Sequence, residues 1–168
     1  MSTRDLVKMS AYLAMFIVLD FISNMIGIFK MPQGGTLGLG VIALLLASYD
    51  LGWKKGVAVG LMSVLLQWMT GAMWFLNWFQ FILDYLLAFG IYGVACMVPS
   101  AKIGKQTFLW GIVAVNLIRL ASHTVSGVLF YEVTWWGSLA YNSWYMIPTM
   151  IVALIVVTMV LPRLRINH

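Results

Sequence analysis

Charged residues are scarce in this chain of 168 residues: they make up 9% of it, whereas an average soluble domain has about 25%. Hydrophobic residues account for 62% of the sequence, and the mean hydropathy is +0.95. This composition excludes a soluble globular protein, and it excludes disorder, because a disordered chain needs low hydrophobicity. At about 20 residues per membrane-spanning helix, the length suffices for roughly six spans with short connections. The sequence therefore predicts an integral membrane protein.

Motifs that carry chemistry are also missing. The sequence contains no G-x-x-x-x-G-K-[ST] phosphate-binding loop, so we expect no ATP hydrolysis by this chain alone. Its single cysteine, Cys96, can form no internal disulfide, and its two histidines are too few for an ordinary zinc site. No nucleophile elbow of the G-x-S-x-G kind is present. We therefore expect no catalytic residue, no metal and no cofactor, and a membrane enzyme with His123 as base is left as an alternative.

Six apolar runs divide the chain. They extend over about Leu6 to Phe29, Thr36 to Tyr49, Trp53 to Thr70, Phe75 to Val98, Thr107 to Tyr131 and Gly137 to Leu161. The first run is too long for a signal-peptide core and is interpreted as a membrane helix. The second is short and contains Gly38 and Gly40, so it is either tilted and irregular or shielded by its neighbours. We predict an all-α bundle of six transmembrane helices that forms one substrate-binding domain, residues 1–168.

The basic residues predict the orientation of this bundle, because Lys and Arg concentrate in short cytoplasmic loops. Lys30 lies alone in a loop on one side, and Arg119 lies inside a span. The other eight of the ten fall on the opposite side: Arg4, Lys8, Lys54, Lys55, Lys102, Lys105, Arg163 and Arg165. Both termini are therefore expected in the cytoplasm. The same topology explains the pI of about 9.5, so nucleic acid is not an expected partner.

Four ionisable residues fall inside the predicted spans, namely Asp20, Asp84, Arg119 and His123. Each costs free energy at membrane depth and so requires a partner, a cavity or a function. By the helical rise, Asp20, Asp84 and His123 lie at a similar level, about 12 to 14 Å below the outer surface. Asn142 is slightly shallower, and Arg119 is on the same face as His123, one turn deeper. Together they predict a polar site in the outer half of the bundle.

Structural roles are the alternative for each of these residues. Asp84 and Arg119 could form a buried ion pair that binds nothing. His123 could be a hydrogen-bonding residue between helices. Asp20 is adjacent to Ser23 and Asn24 and could only brace the outer end of the first span, so we leave it out of the predicted site.

Tryptophans show the same bias towards the outer half. Six of the eight lie there: Trp68, Trp74, Trp78, Trp135, Trp136 and Trp144. An interfacial belt would populate both membrane boundaries. We therefore predict an outward-facing site with aromatic walls, as small-ligand pockets have, and keep a one-sided belt as the alternative.

Several segments between about residues 30 and 150 resemble a known family. They are Met31-Pro-Gln-Gly-Gly-Thr36, Ser48-Tyr-Asp-Leu-Gly-Trp-Lys-Lys-Gly56, Leu83-Asp-Tyr-Leu-Leu-Ala-Phe89, Arg119-x-x-x-His123-x-x-Ser-Gly127 and Ser138-Leu-Ala-Tyr-Asn142. In order and spacing they resemble the thiamine-binding S component of energy-coupling factor (ECF) transporters. The resemblance implies a six-helix protein of the cell membrane that captures a vitamin from outside. It also implies a transmembrane coupling protein and two ATPase subunits as partners.

The resemblance also implies a set of ligand-binding residues. They are Asp84, Tyr85, His123, Gly127, Tyr131, Ser138 and Asn142. Arg119 belongs to the same motif as His123 and is included in the predicted ligand-binding site. These residue types suit thiamine, whose cationic thiazolium can be held by a carboxylate and by ring faces. Its aminopyrimidine offers donors and acceptors that Asn and His can match. A related vitamin, a one-ring thiamine precursor, or a scaffold subunit that binds nothing remain the alternatives.

Overall fold

The computed structural model describes residues 1–27, 30–32, 34–71, 73–103 and 106–166. Within these residues the chain forms six helices and one short antiparallel hairpin. The helices are α1 (Thr3–Ile26), α2 (Val41–Leu51), α3 (Trp53–Met69), α4 (Trp78–Met97), α5 (Trp110–Phe130) and α6 (Trp135–Ile166). The hairpin pairs β1 (Ala101–Ile103) with β2 (Gln106–Phe108) in the connection between α4 and α5. Each predicted run therefore overlaps one helix.

The observed ends differ from the predicted ones, most clearly at the second run. Residues 36–40 are not helical, and α2 begins only at Val41, so the predicted start at Thr36 is wrong. Among the described helices α1, α4, α5 and α6 are long and apolar enough to cross a membrane, and α2 is a shorter apolar helix. Phe29, Gln33 and Lys105 lie outside the described residues, and so does the side chain of Arg165.

The short helix α2 lies at the centre of the bundle. Residues 41–48 are all buried, and α2 packs against α1, α3, α4 and α6. A helix that is apolar all round is buried either in protein or in lipid, and in α2 the neighbouring helices provide the cover. Of the two predictions for the second run, shielding by neighbours is the one confirmed.

At one end of the bundle the helices are joined by ion pairs. We call it the basic end, because Arg4, Lys8, Lys54 and Lys55 lie there. Lys8 of α1 bonds to Asp50 of α2 at 3.0 Å, and Asp5 of α1 pairs with Lys55 of α3 at 2.7 Å. These contacts fix the start of α1 against the two helices that follow it.

Helix backbones touch one another near the basic end. A Cβ atom added at Gly93 of α4 would overlap the backbone of Val57 in α3. One added at Gly111 of α5 would overlap the carbonyl oxygen of Ala95 in α4. Small residues allow this close approach in membrane bundles, where dispersion contacts between helices drive association. The opposite end of the bundle is built differently, because it contains a cavity.

Candidate ligand-binding site

A cavity of about 400 Å³ lies at the end of the bundle remote from the basic end, which we call the cavity end. Its walls are formed by the second half of α1, the first halves of α4 and α6, the second half of α5 and the segment before α2. The volume is in the range of small-molecule sites, about 300 to 1,000 Å³. All eight predicted ligand-binding residues line it: Asp84, Tyr85, Arg119, His123, Gly127, Tyr131, Ser138 and Asn142.

Asp84 is the most strongly hydrogen-bonded acid of the cavity. It lies in a π-helical stretch of α4, Ile82–Leu87, and such wide turns often occur at functional sites. Its Oδ2 atom accepts hydrogen bonds from Nε2 of Gln80 and, at 2.8 Å, from Oγ of Ser126. Its Oδ1 atom lies 3.2 Å from Nδ1 of His123. The carboxylate is thus buried at the cavity wall and oriented from two sides, and its Oδ1 atom accepts no hydrogen bond from the described residues.

Arg119 is directed away from Asp84. Its Nε donates to Nε2 of His123 at 3.4 Å, and its Nη1 donates to the hydroxyl of Tyr92 at 3.2 Å. The guanidinium carbon lies 4.8 Å from the centre of the Phe89 ring, a cation–π distance. Within the described residues no direct Asp84–Arg119 ion pair forms. The alternative of a simple buried pair is therefore wrong, because His123 lies between the two charges.

The contacts of His123 determine which ring nitrogen carries its proton. Nε2 accepts from Arg119, so the imidazole proton is assigned to Nδ1, which faces Asp84. The sequence places Arg119 one turn deeper than His123 on one face of α5, and the structure confirms this arrangement. The imidazole thus lies between the carboxylate and the guanidinium.

Helix α6 contributes a chain of buried polar groups. Ser138 Oγ donates to the Thr124 carbonyl of α5 at 2.9 Å. Asn142 donates to the Ser138 carbonyl at 2.9 Å and accepts from the Tyr145 hydroxyl at 2.9 Å. A Cβ at Gly127 would overlap the Ser138 hydroxyl, so this glycine permits α5 and α6 to meet. These bonds hold the amide of Asn142 in one orientation at the cavity wall.

Tyrosine and phenylalanine rings form the aromatic walls. Tyr85 stacks between Phe81 and Phe89, with ring centroids 5.7 and 6.4 Å away. Its hydroxyl donates to the Trp74 carbonyl at 2.8 Å and accepts from the Trp74 amide at 2.9 Å. Tyr131 accepts a long hydrogen bond, 3.4 Å, from the side chain of Gln80. The cavity therefore offers several ring faces beside its buried carboxylate.

The prediction that the outer tryptophans wall the site is wrong for five of the six. Trp74 alone among them lines the cavity, at its rim. The other five are more than half exposed on the outside of the bundle: Trp68, Trp78, Trp135, Trp136 and Trp144. Their positions fit the alternative, a one-sided interfacial belt.

Asp20, Gln80 and Tyr145 are among the cavity residues that were not predicted from the sequence. Asp20, which we expected outside the site, lines the cavity, although its depth, equal to that of Asp84, was a usable signal. Gln80 lies one helical turn before Asp84, and Tyr145 lies three residues after Asn142, so helical spacing from predicted residues could have found both.

The segment before α2 was not expected in the site either. Residues of the segment 34–40 line the cavity, and the segment is held to α1 and α6. Thr149 accepts from the Gly38 amide at 3.0 Å, Ser23 accepts from the Leu39 amide at 3.0 Å, and Tyr141 donates to the Gly34 carbonyl at 3.1 Å. Gly35 has a φ of +94°, and a Cβ there would lie 2.7 Å from the Tyr145 ring. Glycine is therefore required at this turn.

These features define a class of protein. The described residues contain no group of three or more His, Cys, Asp or Glu that could hold a metal ion. They instead provide a membrane bundle of helices with one oriented carboxylate, buried amides and aromatic rings around a cavity. This is an integral membrane protein that accommodates a small organic molecule.

Comparison with known proteins gives the family. The thiamine transporter protein family matches residues 6–167, and the chain belongs to this family. The chain is 32% identical over 179 residues to thiamine transporter ThiT of Bacillus subtilis strain 168, covering 95% of this chain and 92% of that protein. The structure of ThiT from Listeria monocytogenes has the same fold, with a TM-score of 0.74 at 21% identity, over 95% of this chain and 93% of that one. The family comprises multi-pass membrane transporters, not enzymes.

Proposed function

We propose that this chain captures thiamine with high affinity from the outer side of the cell membrane, as the substrate-specific subunit of an ATP-driven ECF importer. The observation that carries the proposal is the buried, doubly oriented carboxylate of Asp84 in a cavity with aromatic walls. Thiamine carries a permanent positive charge on its thiazolium ring. Family membership and the missing phosphate-binding loop support the same function.

Each part of thiamine has a counterpart in the cavity. Asp84 acts as the counter-ion of the thiazolium, and the ring of Tyr131 offers it an aromatic face. Tyr85, whose faces stack against Phe81 and Phe89, borders the ligand with its ring edge. Asn142 and His123 match the donors and acceptors of the aminopyrimidine. Of the other three predicted residues, Arg119 orients His123, while Gly127 and Ser138 set the spacing of α5 and α6.

The proposed orientation places the cavity end outside. Arg4, Lys8, Lys54 and Lys55 lie at the basic end, and basic residues favour the cytoplasmic side of a membrane. The cavity opens at the other end, so a vitamin outside the cell would reach it directly. Cysteine labelling from outside, with single cysteines introduced near Lys30 and near Lys54 in the Cys96→Ser background, tests the orientation. Labelling near Lys54 and not near Lys30 would show that the bundle has the opposite orientation in the membrane.

Transport requires energy that this chain cannot supply alone. The proposed partners are therefore a transmembrane coupling protein and two ATPase subunits. We expect ATP-dependent thiamine uptake into vesicles only when the chain is reconstituted with these partners. ATP-independent, concentrative uptake by the purified chain would contradict the proposal.

Titration of the purified chain tests the identity of the ligand. Thiamine should bind far more tightly than its isolated pyrimidine or thiazole ring, because each fragment loses the contacts of the other half. A fragment that binds more tightly than thiamine would favour a one-ring precursor, and another vitamin that does so would favour that vitamin. If none of these compounds binds, the chain is a scaffold subunit.

A further inference from the structure

Asp20 differs from the other helical carboxylates in its partners. Asp84 accepts hydrogen bonds from two side chains, and Asp5 and Asp50 each pair with a lysine. Asp20 is partly buried, and in the described chain its carboxylate accepts one hydrogen bond, from Asn24 at 3.2 Å. The same amide of Asn24 also donates to the Asp20 backbone carbonyl at 2.9 Å. Asp20 is therefore the helical carboxylate with the most unused acceptor capacity.

Asp20 also borders two adjoining spaces. It lines the main cavity, and with Phe16, Asn24 and Gln67 it also lines a smaller cavity of about 300 Å³ beside α1 and α3. A carboxylate within a membrane helix is costly unless something compensates its charge. Because Asp20 faces open space on the cavity side, a ligand can reach it.

Asp20 contributes to the net charge of the cavity wall. Four charged residues line the main cavity: Asp20, Lys30, Asp84 and Arg119. Asp84 and Arg119 contribute one negative and one positive charge to the cavity wall, so these two residues alone leave the wall without net charge. Lys30 is exposed, and water screens its charge. Asp20 thus supplies the negative charge that is left over inside the cavity.

We infer that Asp20 is a second carboxylate contact of the cationic ligand and, together with Asp84, gives this site its preference for a positively charged molecule. The inference rests on the proposed function, since it assumes the thiazolium cation. Attraction between a cation and a carboxylate is stronger in a partly buried cavity than in water, because the effective dielectric constant is lower. Asp20 on α1 and Asp84 on α4 would then act on the ligand from two different helices.

A structural role for Asp20 is the competing explanation. Asp20 lies beside the start of α2: a Cβ added at Gly40 would be 3.4 Å from the Asp20 Cβ. No side chain caps the N-terminus of α2, and a negative charge stabilises such a terminus. In that case Asp20 would stabilise the bundle without distinguishing charged from neutral ligands. The experiment must therefore compare two ligands that differ only in charge.

The test titrates purified chain with thiamine and with an analogue in which an uncharged thiophene replaces the thiazolium. We expect Asp20→Asn to weaken thiamine binding roughly tenfold or more. The same substitution should weaken binding of the thiophene analogue by less than about threefold. Asp20→Glu keeps the charge and should retain most of the preference for thiamine. Asp20→Ser, which keeps an acceptor for Asn24, serves as the neutral variant if Asp20→Asn does not fold. Asp50→Asn is the matched control, because Asp50 lies at the basic end, and both affinities should stay unchanged.

The outcomes separate this inference from the proposed function. Equal losses for both ligands in the neutral variant would overturn the role of Asp20 and leave thiamine capture intact. Unchanged thiamine affinity in Asp20→Asn would do the same. If the unaltered chain binds neither compound, the thiamine proposal fails and the inference fails with it.

Discussion

The two ends of the bundle are held together by different contacts. At the basic end, lysine–aspartate pairs join α1 to its neighbours, and glycines such as Gly93 and Gly111 bring helix backbones into contact. At the cavity end the helices surround an open space, and polar side chains join α4 to α5 and α5 to α6 through hydrogen bonds. One end thus maximises packing, and the other gives up packing to keep an open space. Functional sites commonly sacrifice stability in this way.

Because the two ends differ in their contacts, substitutions at one end should affect folding and substitutions at the other should affect binding. Tight backbone contacts cannot move aside, so changes at the basic end should lower stability. Groups that face the cavity are partly exposed or bonded within a network, so changes there should lower affinity and leave the helices folded. Substitutions at the two ends test whether stability and binding are separated in this way.

The largest effect is expected from Gly93→Ala. The new methyl group would overlap the Val57 backbone, which cannot rotate away, so the bundle should lose about 3 kcal/mol or more of stability. Thermal unfolding in detergent measures this loss. Gly90→Ala is the matched control one turn earlier on α4, where the added Cβ would meet a Leu61 methyl at an ordinary 3.4 Å. Equal melting temperatures for both variants would contradict the division between the two ends.

Asp84→Asn should have the next largest effect, on binding alone. Removing the buried counter-ion should weaken thiamine binding by roughly 2 to 5 kcal/mol, while the melting temperature without ligand falls little. Asp50→Asn should show the reverse, because it leaves Lys8 without its carboxylate at the basic end. Calorimetry gives the thiamine affinity of each variant, and thermal unfolding gives its melting temperature. Unchanged affinity in Asp84→Asn would assign this carboxylate a structural role.

Features that depend on the order and depth of residues along a helix were predictable from the sequence. The six helices follow from apolar runs interrupted by charges, glycines and proline. The common level of Asp84 and His123 follows from the helical rise per residue alone. The pairing of Arg119 with His123 follows from their spacing of four residues.

Features that depend on the rotation of a helix or on long-range contacts were not predictable. Trp136 has the correct depth to line the cavity, but it faces outward and is 81% exposed. The late start of α2 is accompanied by hydrogen bonds that the amides of Gly38 and Leu39 donate to the hydroxyls of Thr149 and Ser23. Those partners are far away in sequence. The π-helical turn around Asp84 likewise has no simple sequence pattern.

Tyr85→Phe should produce a smaller effect, confined to the cavity end. The hydroxyl makes two hydrogen bonds to the backbone of Trp74, which fix the connection between α3 and α4. Losing them should cost about 1 kcal/mol locally, so the Trp74 amide should exchange its hydrogen roughly fivefold faster. Exchange at the centre of α2 should not change. Faster exchange throughout the bundle would mean that the cavity end and the basic end are not independent.

The smallest effect is expected in tryptophan fluorescence. It distinguishes a ligand that contacts the cavity tryptophan from one that contacts the exposed tryptophans of the belt. Of the eight tryptophans, Trp74 is the one that lines the cavity in the described chain. If all emit equally, thiamine should change at most about one eighth of the emission, because stacking acts only on a ring within contact distance. Trp74→Phe should remove this change, whereas Trp136→Phe, on the outer surface, should preserve it. A response that persists without Trp74 and disappears without Trp136 would show that the ligand binds among the exposed aromatics, because a ring in the one-sided belt cannot contact a ligand inside the cavity.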